Sequence, residues 1–171
     1  MTVNEVSIRP YAEGDMWLLE KTLGDPTQMV HLNGPESAEK LQKRHRKYVA
    51  MSADQSAGCV YTITMGPKNA PVGNVGYWET EWDGEKGWET GWFVLPEFQG
   101  KGVATSATRM LVNHVAKLDH RYLFASPSVN NVPSNAVCRK LGFLLTKVVD
   151  SEYPPGKPLR INVWRLDLKP S

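Results

Sequence analysis

Cysteine is scarce in this chain: Cys59 and Cys138 are the only two among 171 residues. Two thiols cannot build a multi-bridge framework, and no Cys/His cluster has zinc-finger spacing, so a disulfide scaffold is excluded. His31, His45, His114 and His120 lie far apart without metal-ligand spacing, and they read as packed or surface residues; no metal is expected. Long apolar runs are missing too, with nothing near the roughly 18 consecutive residues of a membrane span. The opening Met1-Thr2-Val3-Asn4-Glu5 shows no basic stretch followed by an apolar one, which points to neither secretion nor a membrane partner and leaves the cytoplasm as the expected compartment. An excess of one charge is also absent. With 20 basic against 18 acidic residues and a net charge of +2, nucleic acid is not expected as a partner.

What is present is an ordinary globular composition, 41% apolar and 22% charged. The length suits one domain, residues 1–171, with no room for a separate cofactor-binding half. A first strand is expected over Val3–Arg9, where Val6 and Ile8 alternate with polar neighbours. Asp15 is placed to cap a helix carrying Met16, Leu19 and Leu23 on one face, and Gly24-Asp25-Pro26 ends it. A second helix is expected over Pro35–Ala50, with Pro35 in its first turn and a buried stripe of Ala38, Leu41, His45 and Tyr48 or Val49. Lys43, Arg44, Arg46 and Lys47 then form a solvated basic face.

Residues 58–65 and 72–80 read as a hairpin, and Asp83-Gly84 turns the chain into a third antiparallel strand over Gly87–Val94. A long helix beginning near Gly102 follows, with Val103, Ala107, Met110, Leu111, His114 and Leu118 on one face. Tyr122–Ser126, Phe143–Val149 and Ile161–Leu168 read as strands, and Pro133–Leu141 as a helix. This order gives the α/β (α+β) class: a sandwich around a mixed, mostly antiparallel sheet of six to seven strands, with helices on both faces.

The informative stretch is Gln99-Gly100-Lys101-Gly102-Val103-Ala104. Two glycines in a tight turn at a helix N-terminus leave backbone N–H groups unpaired, and the helix dipole adds roughly half a positive charge there. Such a turn suits a phosphate. A P-loop would need a hydroxyl residue after Lys101, where Gly102 stands, and a dinucleotide fingerprint would need a glycine at Thr105. Both are excluded.

This hexapeptide resembles the pyrophosphate loop of the GNAT acetyltransferase superfamily. Asn131-Val132-Pro133-Ser134, with the helix ending Lys140-Leu141-Gly142-Phe143, resembles the superfamily's second signature. Glu89-Thr90-Gly91-Trp92-Phe93-Val94 and Ile8-Arg9-Pro10 are similar to its RimJ/RimL-like branch. The resemblance implies a GNAT-like three-layer sandwich that uses acetyl-CoA as acetyl donor. It implies that Gln99, Gly100, Lys101, Gly102, Val103 and Ala104 hold the pyrophosphate, and that Asn131 hydrogen-bonds the pantetheine arm. The strands around residues 94 and 126 are expected to part and leave the amides of Phe93, Val94 and Leu95 free, where the arm can pair like an added strand and a donor can face the tetrahedral oxyanion.

Direct attack by an amine needs no enzyme nucleophile. A base is needed more by some acceptors than by others: freeing a lysine amine at pH 7 costs about 4.6 kcal/mol, an α-amine about 1. The resemblance to the RimL-like branch implies two carboxylates that compete for the role, Glu89 on the strand that should line the thioester and Glu152 after the Phe143–Val149 strand. Glu89 reads equally well as half of a cross-strand pair, and Glu152 as a solvated loop residue. Many superfamily members carry a tyrosine acid at the position of Cys138, so Ser134 is the substitute the RimL-like pattern suggests; helix capping is its other reading. Trp82 with Glu79, Glu81, Asp83 and Glu85 reads as a solvated loop, or as an acidic lip for a cationic acceptor. The function implied is N-acetylation of a primary amine, either a protein N-terminus or a small molecule. A noncatalytic acyl-CoA-binding sensor on the same fold is the alternative, and either a monomer or a homodimer is compatible.

Overall fold

The computed structural model describes residues 5–171. The first strand, β1, covers Val6–Pro10; the expected residues Val3 and Asn4 lie outside the described part. Helix α1 spans Met16–Lys21 and helix α2 Ala38–Ala53. Strands β2 (Gly58–Met65), β3 (Ala70–Trp82) and β4 (Glu85–Val94) form the meander, and helix α3 (Val103–Val115) follows. Then come β5 (Tyr122–Ala125), helix α4 (Val132–Lys140), β6 (Leu144–Glu152) and β7 (Pro158–Asp167).

The seven strands make one sheet in the order β1-β2-β3-β4-β5-β7-β6. Every neighbouring pair is antiparallel except β4 and β5, which run parallel. Asp83 and Gly84, at φ 53° and 79°, form the two-residue turn that matches the strands' right-handed twist. That turn sets Trp82 opposite Glu85, and the register runs without a slip to Gly73 opposite Val94.

Alternate residues of β4 serve different faces. Trp88 and Val94 join the cluster built on α3, where Ala107, Leu111 and Val115 are fully buried. Burying a leucine such as Leu111 contributes about 2 kcal/mol. Phe93 packs instead with Tyr11, Leu19, Leu23 and Leu41 beneath α1 and α2, so Glu89 and Gly91 share that second face. No helix among the described residues is long and apolar enough to cross a membrane.

Three local expectations are corrected. Asp15 is not a side-chain cap of α1: it is 2% exposed, and its carboxylate accepts from Nη1 and Nη2 of Arg9, the Ala12 N–H and the Thr62 hydroxyl. A charge this deep is tolerable only with such partners. Helix α2 starts at Ala38, after Pro35, because Ser37 supplies the cap by accepting from the Lys40 N–H; Ala38 is exposed, while Leu41 and His45 are the buried residues of the stripe. Arg44 leaves the solvated basic face altogether. It pairs with Glu36 and donates to the Tyr48 and Tyr153 hydroxyls, tying α2 to the turn between β6 and β7.

Candidate active site

The parallel pairing of β4 with β5 is short: Trp88 with Leu123, Glu89 with Phe124, Thr90 with Ala125. Beyond Thr90, β4 runs on to Val94 beside β3, while β5 has ended. The sheet therefore opens on one side of residues 91–94. The Leu95 N–H donates to the Val72 carbonyl at 2.8 Å, and ladder bonds alternate along an antiparallel strand. Phe93 thus turns its amide toward β3, and Trp92 and Val94 turn theirs toward the opening. Of the expected free amides Val94 remains, Phe93 and Leu95 are taken by β3, and Trp92 joins.

The turn after β4 supplies the second set of donors. The N–H groups of Phe98 and Gln99 close back on Leu95 and Pro96, and the Ser106 N–H bonds to Gly102. Between them, the amides of Gly100, Lys101, Gly102, Val103, Ala104 and Thr105 have no backbone acceptor among the described residues. Gly100 and Gly102 hold φ at 71° and 76°, the left-handed region that glycine enters without steric cost. A Cβ built on either would meet nothing within 4 Å, so the turn faces open space. The Gln99 side chain donates to the Val94 carbonyl at 2.8 Å. Its own amide being used, Gln99 shapes the loop, and the free donors begin at Gly100. The Lys101 ammonium folds back to the Glu97 carbonyl at 2.9 Å, above the Phe98 ring.

Asn131 caps α4, accepting the Ser134 N–H at 3.2 Å on its Oδ1. Its Nδ2 makes no hydrogen bond among the described residues. Because Asn131 is the cap, Ser134 is not, and the half-buried Ser134 hydroxyl has no partner among the described residues. Neighbouring Asn135, 3% exposed, is saturated: its amide donates to Ser128 and Asn131 carbonyls and its oxygen accepts from Asn162 and Trp164. It locks the start of α4 onto β7. Cys138 is fully buried, and burial pushes its thiol up to about 12; a proton donor on that residue would face the core.

Of the two candidate carboxylates, Glu89 stands where the strands part. Its Oε1 accepts from the Ser126 hydroxyl at 2.6 Å and its Oε2 from the Trp78 indole N–H at 3.0 Å. Glu152 is exposed, and its Oε2 accepts the Gly156 N–H at 2.9 Å inside its own turn; no hydrogen bond joins it to Glu89 or Ser134. No motif in the sequence marks Ser126 or Trp78 as a site residue. Counting back from the Asp83-Gly84 turn would have set Trp78 opposite Glu89; Ser126 has no comparable signal.

The free amides, the open turn and the parted strands fit a diphosphate with an extended arm. In sequence, residues 5–144 match the family model described as an acetyltransferase (GNAT) domain. No curated protein matches the chain. Among solved structures, the chain is similar to an acetyltransferase from Salmonella typhimurium that modifies the N-terminal serine of ribosomal protein L7/L12, with TM-score 0.79, 21% identity, and 99% of this chain and 97% of that one covered. It is similar to a spermidine N-acetyltransferase from Vibrio cholerae in complex with CoA and spermine, with TM-score 0.77, 16% identity and 95% of each chain covered. A GNAT-family acetyltransferase from Bacillus anthracis matches with TM-score 0.77 and 18% identity over 98% of each chain.

Proposed function

The chain belongs to the acetyltransferase (GNAT) family, and on that premise we propose that it transfers acetyl from acetyl-CoA to a primary amine by direct attack in a ternary complex. The observation that carries this reading is the run of unpaired amides from Gly100 to Thr105 beside the opening between β4 and β5. Bound acetyl-CoA supplies an activated thioester. The Gly100–Thr105 amides and the N-terminal dipole of α3 hold its diphosphate. Trp92 and Val94 offer strand amides to the arm, and the Asn131 amide adds a further donor. A strand amide that faces the opening is the donor available to the acyl carbonyl oxygen, where a preorganised dipole counts most. Glu89 takes the proton from the amine, and Ser134 is the hydroxyl available to the departing sulfur.

A protein α-amine is the favoured acceptor, because it needs only about 1 kcal/mol to be freed at pH 7 and because of the RimJ/RimL-like sequence pattern. A small amine comes second. Free-thiol release over a panel of peptides, polyamines and aminoglycosides, with the acetylated product weighed by mass spectrometry, tests the reading. The expected result is release that depends on an acceptor and falls about a hundred-fold or more in E89Q, with E152Q close to wild type. Tight coenzyme A binding without acceptor-dependent release across the panel would instead identify a noncatalytic acyl-CoA-binding module.

A further inference from the structure

We infer that Trp78 is the residue that positions the Glu89 carboxylate, and that position 91 is glycine so that it can. The inference rests on the reading that Glu89 receives the amine's proton. Trp78 and Glu89 are register partners across β3 and β4, so their side chains rise from the same face of the sheet. The indole N–H reaches Oε2 at 3.0 Å while the Ser126 hydroxyl holds Oε1 at 2.6 Å. One donor on each oxygen fixes the plane of the carboxylate, which a glutamate with three rotatable bonds would otherwise sample freely. The two donors also come from opposite sides of the opening: Trp78 lies on β3, and Ser126 is the first residue beyond β5.

The indole itself needs a place to lie. A Cβ at Gly91 would meet Trp78 Cη2 at 3.0 Å, Cζ2 at 3.8 Å and Cζ3 at 4.0 Å as its three nearest heavy atoms beyond the flanking residues. All three belong to the benzo half of the indole. Gly91 has no positive φ, so the backbone does not demand glycine there; the ring above it does. Trp78 thus acts through Glu89, and Gly91 acts through Trp78, so neither is a catalytic residue.

That chain of dependence predicts non-additivity, the signature of residues acting as one unit. The experiment measures kcat for the best acceptor, acceptor KM and coenzyme A affinity in W78F, E89Q, G91A, S126A and the doubles W78F/E89Q and W78F/G91A. Losing one hydrogen bond to a charged group predicts a fall in kcat of about ten-fold or more for W78F and for S126A, with coenzyme A affinity unchanged. W78F adds no further loss to E89Q. G91A alone lowers kcat, whereas adding it to W78F costs little, because phenylalanine lacks the benzo atoms that an alanine Cβ would strike. G91A, which acts on the indole without replacing it, and S126A, which removes the half-buried hydroxyl from the other carboxylate oxygen, keep the test alive should a tryptophan variant fold poorly. Multiplicative losses in W78F/E89Q, or a harmless G91A, would overturn the inference while leaving the transferase reading intact. Absence of acceptor-dependent transfer in the wild type would overturn that reading, and the positioning role with it.

Discussion

The Gln99 side chain donates to the Val94 main-chain carbonyl at 2.8 Å, and this bond couples the glycine turn to the strand whose free amides line the opening. Gln99→Ala is therefore expected to loosen the turn without unfolding the chain. One hydrogen bond of about 1 kcal/mol corresponds to roughly a five-fold weaker affinity for coenzyme A. Calorimetric titration checks this, and an unchanged affinity would show that the turn keeps its shape without the bond.

A pair of glycines separates strain from binding. Gly66 and Gly102 sit at φ 74° and 76°, and a Cβ on either would meet nothing within 4 Å. Alanine at either position should cost about 1 kcal/mol of stability, the penalty for an L-residue in the left-handed region. Only Gly102→Ala should also weaken coenzyme A binding, because only its Cβ would project into the mouth of the turn. Thermal melts and titrations on both variants decide; equal loss of binding in the two would mean that the effect is strain alone.

Asp15 gives the fold a pH dependence of definite sign. Burial by itself would raise its carboxyl, but the Arg9 guanidinium, the Ala12 N–H and the Thr62 hydroxyl overcome burial and hold it below the ordinary carboxylate value. A depressed folded-state pKa means stabilisation that is fully present above the unfolded value near 3.9 and is lost as pH falls through the lower folded value. Asp15→Asn should thus be less stable than wild type at pH 7, with the gap closing as the pH drops below about 4. Denaturant midpoints at several pH values measure it; a gap that stays constant into acid would refute the assignment.

The arrangement of strands was readable because two local signals agree. The Asp83-Gly84 turn fixes the β3–β4 register, and glycines 100 and 102 mark where strand gives way to helix. The glycine turn proposed to hold the cofactor is marked by that turn chemistry and by the family resemblance. Which amides are free did not follow, since it depends on the parity of a hydrogen-bond ladder that one carbonyl, Val72, sets for Leu95. Contacts between distant segments were hidden too. Arg44 reads as one more cation on a basic helix face until Glu36 and Tyr153 fold against it. Nothing local marks Asn135 as the hub that satisfies Asn162 and Trp164, which lie 27 and 29 residues away. Ser126 becomes a partner of Glu89 only once β5 is laid parallel to β4.

The most direct measurement is an amide-resolved NMR titration of the wild-type chain with coenzyme A. The account predicts that the largest shifts fall on the N–H groups of Gly100 through Thr105 and on Trp92 and Val94, with Leu95, already bonded to Val72, moving little. Saturating coenzyme A that leaves those amides unmoved, or that shifts a different surface instead, would contradict it.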